Sequence, residues 1–152
     1  MRGPSNITRN VASRFRRDAV QLVLVTSNSE MRLPVRVSEE LHIRFRHSVY
    51  GSTVEEAFVI GASGLELRQL RYEEPRLADY YGHDHSTRVG DWWVVNCNGH
   101  LHPELSLRVS ADSEMRLSVG AHVIELKDLV RAGGAVRISV DHDRECDAGI
   151  DA

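Results

Sequence analysis

Residues 40–49, ELHIRFRHSV, place Leu41, Ile43, Phe45, His47 and Val49 on one face of an extended chain and His42, Arg44, Arg46 and Ser48 on the other. Successive side chains of a strand point to opposite faces, so this period of two predicts a half-buried strand. The pattern recurs in MRLPVRV (Met31, Leu33, Val35, Val37) and TVEEAFVI (Val54, Glu56, Phe58, Ile60), and again in DWWVVN, ELSLRVS, EMRLSV and AVRISVD. Gln21 to Thr26 is apolar on both faces and predicts a strand buried on both sides. Pro34 assigns MRLPVRV to a sheet edge, because proline has no N–H to give a ladder. In LELRQLRY the apolar face slips from Leu65 and Leu67 to Leu70 and Tyr72, which predicts a bulge near Arg68 and Gln69. Only ELKDLVRAGG, with Leu126, Leu129 and Val130 at helical spacing and a closing glycine pair, predicts a short helix near 125–132.

About eight to nine short strands, punctuated by Gly, Asn, Asp and Ser every eight to twelve residues or so, predict an all-β fold. The expected form is an antiparallel β-sandwich of immunoglobulin-like type. A chain of 152 residues can bury one such core without disulfide or metal. The β domain is expected over 19–142, between a basic tail at 1–18 and a C-terminal tail at 143–152. The tail's first seventeen residues hold five arginines and no acid. The adjoining run Ala19 to Val25 is too short for a membrane span of about twenty residues and lacks a signal-peptide cleavage pattern, so the chain is expected to be soluble. With 19 basic and 22 acidic residues the formal charge is -3, and no nucleic-acid partner is expected. Cys97 and Cys146 have no CxxC spacing, and a bridge or two free thiols both fit.

The stretch RHSVYGSTVEEAF brings chemistry-bearing residues to a turn. A two-residue turn at Gly51 and Ser52 sets Val49 opposite Val54, Phe45 opposite Phe58 and His47 opposite Glu56, with the last pair facing the core and Ser48 and Glu55 facing away. Imidazole beside carboxylate can be a pair fixing register, a site for a polar ligand, or a metal or acid/base site. Ser48 cannot be a nucleophile activated by His47, since adjacent strand residues face opposite ways. Eight histidines include two HxH pairs, His83 with His85 and His100 with His102. On a strand such a pair can hold zinc or another divalent metal, with Asp79, Asp84, Asp91 or Glu104 as a further ligand. There is no phosphate-cradling glycine loop, no GxSxG and no HExxH. Trp92 and Trp93 should point apart, at least one of them into the core. Residues 73–91, EEPRLADYYGHDHSTRVGD, show neither period and predict a long irregular loop, functional or mobile rather than idle.

ELHIRFRHSVYGSTVEEAFVI followed by LELRQLRYE resembles the opening half of the bacterial and archaeal domain-of-unknown-function family eighteen-fifty. The carrying residues are His47, Ser48, Val49, Val54, Glu55, Glu56, Leu65, Leu67, Arg71 and Tyr72. The later LSLRV and IELKDLVRAGGAVRISV are similar to the family's closing strands, so the likeness spans roughly 19–141. The family's glycine-rich turn after the Arg-Tyr pair is replaced here by EEPRLADYYGHDH. Family members are encoded beside, or fused to, permeases of the tripartite ATP-independent periplasmic (TRAP) transporter class working with a TAXI-type solute receptor. The resemblance therefore implies a non-enzymatic accessory or interaction domain of solute uptake, without cofactor, partnered by a membrane permease or solute receptor, on the extracytoplasmic face. His47, Ser48, Glu55, Glu56, Arg71 and Tyr72 form its motif. The alternative is a metal-binding protein or metal-dependent hydrolase built from His47, Glu56 and the loop histidines.

Overall fold

A computed structural model describes residues 18–142. The tails at 1–17 and 143–152, with Cys146 and any bridge it makes, lie outside the described residues. Eleven strands form two antiparallel sheets: β1 (Ala19–Val25), β2 (Glu30–Arg36), β3 (Glu40–Arg46), β4 (Thr53–Ile60), β5 (Leu65–Tyr72), β6 (Thr87–Val89), β7 (Trp92–His102), β8 (Glu104–Arg108), β9 (Arg116–Val119), β10 (His122–Glu125) and β11 (Ala135–His142). The smaller sheet has the order β2-β1-β11-β8 and the larger β10-β9-β3-β4-β5-β7-β6. The expected sandwich is present, with more strands than the eight to nine read from the sequence.

Alternation explains the layers. Leu22 and Leu24 of β1 with Val136 and Ile138 of β11 meet Leu41 and Ile43 of β3, Phe58 and Ile60 of β4, and Leu117 of β9 in one closed core. Full burial of each such side chain is worth roughly 1.5–3 kcal/mol. Central β1 also buries Val23 on its outer face, as its double-sided hydrophobicity predicts. Pro34 sits on edge strand β2. Arg68 is the extra residue of a bulge between β4 and β5, and β7 answers with an interruption at 97–99, where Gly99 takes φ +67°.

The larger sheet continues past the smaller one. Val54, Tyr72 and Val95 on its inner face, with Phe45, Leu70 and Trp93 beside them, form a second cluster covered by the short helix α1 (Pro75–Tyr80) through Leu77 and Ala78. This helix lies within the stretch read as irregular from the sequence. Pro75 suits the first helical turn, where its missing N–H costs nothing. Gly82, at φ +79°, ends it by giving its N–H to Asp79 O while His83 N–H reaches Ala78 O, the pair of bonds that closes a helix through a left-handed residue. The helix expected near 125–132 is reduced to a 3₁₀ turn at Leu126–Asp128. Leu126 is anchored in the core, and Gly133 and Gly134 bond to Val109, which pulls the chain away from a helical path. Among the described residues no helix is long and apolar enough to cross a membrane.

Candidate functional site

The β3–β4 hairpin has a different register from the one a two-residue turn gives. Phe45 faces Val54, Arg44 faces Glu55, Ile43 faces Glu56 and Leu41 faces Phe58. The cause is His47, which leaves the strand and organises a wider loop. Its Nδ1 accepts the backbone N–H groups of Val49 and Tyr50, each at 3.3 Å, and its own N–H and C=O bond Ser52 O and Gly51 N–H. Gly51 supplies the φ of +68° that brings the chain back. The pairing of His47 with Glu56 is thus replaced. Because the register moves by an even number of positions, Glu55 still points outward and Glu56 inward.

Glu55 is the centre of the outer face. Although outward-facing, it is only 5% exposed. Arg44 on β3 and Arg71 on β5 lie directly opposite it on the two flanking strands, and His42 lies diagonally. His42 Nδ1 is 2.6 Å from Oε1, Arg44 donates through Nη2 and Nε to Oε2 at 2.7 and 3.1 Å, and Arg71 Nη1 donates to Oε1 at 3.2 Å. The bond with His42, reinforced by Arg44, holds the Glu55 carboxyl down to about 2 against the cost of burial. The His42 imidazole is raised above its usual value, first by Glu55 and then by Glu40, whose Oε2 is 3.1 Å from Nε2. Arg44 also lies over the Trp92 ring, 5.3 Å from its centroid, while Trp93 packs inward, so the two tryptophans point apart as expected. In the sequence His42 and Arg44 are ordinary members of the polar face of β3. Their roles come from facing Glu55 across strands, which only the true register shows.

At the end of the hairpin, residues from the loop and from α1 build an aromatic group. His47 is buried, stacked on Tyr50 at 5.5 Å and set edge-to-face against Tyr80 at 4.9 Å and Tyr81 at 5.7 Å. Tyr81 in turn stacks on buried Tyr72 at 5.7 Å, and His83 lies 6.0 Å from the same ring. Arg76 lies over the Tyr50 ring, 4.2 Å from its centroid. Tyr80, Tyr81 and Val49 are nevertheless 55%, 45% and 65% exposed. Ser48 is exposed in the same loop.

Glu56 lies on the inner face between the two apolar clusters. Burial raises the pKa of its carboxyl, and burial first, with the nearby Glu56 charge as a smaller contribution, also raises those of Tyr72, Tyr81 and Cys97. His100 and His102, with ring centroids 5.2 Å apart, belong to β7, where His102 also meets Phe58. His85 is exposed beyond α1. The motif residues are therefore divided: Glu55 and Arg71 outside, Glu56 and Tyr72 inside, His47 and Ser48 at the end. Among the described residues, no three His, Cys, Asp or Glu side chains gather as a metal-binding group.

Compared with protein-family models, curated proteins and solved structures, the chain matches none.

Proposed function

We propose that this chain is a non-enzymatic recognition domain that docks a protein partner on the aromatic end of its sandwich. The carrying observation is that Tyr80 and Tyr81 are largely exposed yet fixed by ring contacts with His47 and with each other. Exposed aromatic and apolar groups gathered in one place mark interaction surfaces. Tyrosines already held in position lose little freedom on binding and offer both an apolar face and a hydroxyl. The imidazole at their centre is committed: its Nδ1 accepts two backbone N–H groups, which leaves Nε2 as the donor in the neutral ring.

The resemblance carried by His47 to Glu56 and by Arg71 and Tyr72 gives the partner a class, a permease or solute receptor of a TRAP-type transporter. The α1 segment that carries the two tyrosines is also where the chain departs from the family's glycine-rich turn, which would suit it to a different partner surface. Titration of the full chain against the permease or receptor encoded nearest its gene tests the reading. Binding that weakens about tenfold or more in a Tyr80→Ala, Tyr81→Ala double variant supports it, given the weight of aromatic anchors in interfaces. Equal binding by both forms would refute the surface, and no binding by either would refute the partner class.

A further inference from the structure

Among the described residues, cations are nearly always matched. Among the described arginines, all except Arg131 and Arg137 reach an acid, a carbonyl oxygen or another partner. Lys127, the single lysine of the chain, is likewise without a partner among the described residues. These three unmatched cations line one cleft of about 650 Å³, bounded by the β1–β2 turn, the 3₁₀ turn and the start of β11. Asp128 is the one acid among its lining residues.

The cleft is more than a basic spot. Arg137 projects from the outer face of the smaller sheet, on a rung between Val25 of β1 and Ser106 of β8, so its base is held by paired strands on both sides. Asn28 and Ser106 add neutral hydrogen-bonding groups to the wall. Leu129 and Val130, half-buried against the core, give it an apolar flank. Three like charges in one concavity repel each other, an arrangement that an anion turns from unfavourable to favourable. A guanidinium fork matches the paired oxygens of carboxylate and phosphate alike.

We infer that this cleft binds the anionic group, carboxylate or phosphate, of a small molecule, with Arg137, Arg131 and Lys127 as its cationic wall. The site is separate from the aromatic end and does not depend on the docking reading. Calorimetric titration of the full chain at low ionic strength, with inorganic phosphate in one arm and succinate in the other, tests it. At least one anion should bind, and the tighter one identifies the head group. In an Arg131→Gln, Arg137→Gln variant its affinity should fall roughly tenfold or more, the loss expected for removing charge-assisted bonds. Arg88→Gln, on a distant edge strand, should leave it unchanged. Both glutamine replacements remove exposed, partnerless groups, so the variant should melt no lower than the parent. No heat with either anion at millimolar concentration would overturn the inference, as would binding that survives the double replacement.

Discussion

Replacing Glu55 by glutamine keeps the side chain's size and removes the negative charge that Arg44, Arg71 and His42 share. The carboxyl moves from an ordinary value of 4.5 to about 2 on folding. Each unit corresponds to about 1.4 kcal/mol, so the ionised form stabilises the fold by about 3 kcal/mol. A depressed acid contributes above its unfolded value and loses its contribution as pH falls toward its folded value. The full effect is thus present at pH 6, and less than half of it, about 1.4 kcal/mol, is left at pH 3. His42 acts from the other side. Its raised imidazole stabilises the fold below its ordinary 6.5 and loses that contribution as pH rises through the folded value. Since the bond between His42 and Glu55 is the leading cause for both, the two contributions are one interaction and are not summed. Urea unfolding of parent and Glu55→Gln chains between pH 3 and 8 should show a gap of about 2–3 kcal/mol near pH 6 that narrows toward acid. A gap that stays constant from pH 6 to pH 3, or one below about 0.5 kcal/mol throughout, would refute the electrostatic account.

Other consequences can be measured directly. His47→Ala should cost about 1–3 kcal/mol by removing a buried acceptor, and amide hydrogen exchange should quicken first at Val49 and Tyr50, whose N–H groups it holds. Leu77→Ala empties the contact between α1 and the larger sheet; a loss of about 2–5 kcal/mol is expected, with exchange protection disappearing from residues 75–81 before it changes in β1 or β11. A methyl group at Gly64 would sit 2.5 Å from the backbone oxygen of His102, whereas one at Gly82 meets nothing within 4 Å and faces only the strain of a φ of +79°. Gly64→Ala should therefore lower the melting temperature by clearly more than Gly82→Ala, whose cost is about 1 kcal/mol.

Side-chain alternation carried most of the architecture, because it follows from which face of a strand meets the core. It located the bulge at Arg68 and the opposed tryptophans, while the missing N–H of Pro34 located the edge strand β2. It also placed Glu55 and Glu56 on their correct faces, since moving a strand by an even number of residues leaves its faces unchanged. What alternation does not encode is a side chain bonding to its own backbone. His47 continues the apolar rhythm of β3 in sequence, and it is the capture of two loop N–H groups by its ring that ends the strand early. The site on the outer face was hidden for the same reason, because Arg44 and His42 become neighbours of Glu55 only after that loop has fixed the pairing. The six residues of α1 are too few to display a helical period, and ELKDLVRAGG displays one without keeping it because Leu126 and the glycine pair are tied to strands.

The second apolar cluster has a consequence for how this fold can change. Among the described residues it is made by the larger sheet, α1 and Tyr50 of the β3–β4 loop, with no side chain of the four-stranded sheet in it. Stabilising contacts made by residues 75–83 are thus largely spent on this annex, while the main core is closed by strands that touch it chiefly through Phe45. Rewriting the segment between β5 and β6, provided Leu77 and Ala78 keep covering the larger sheet, would alter the aromatic end while leaving the contacts of the main core in place. The fold is a fixed handle with an exchangeable head, so the chemistry displayed at that end can be rewritten while the main core keeps its own contacts.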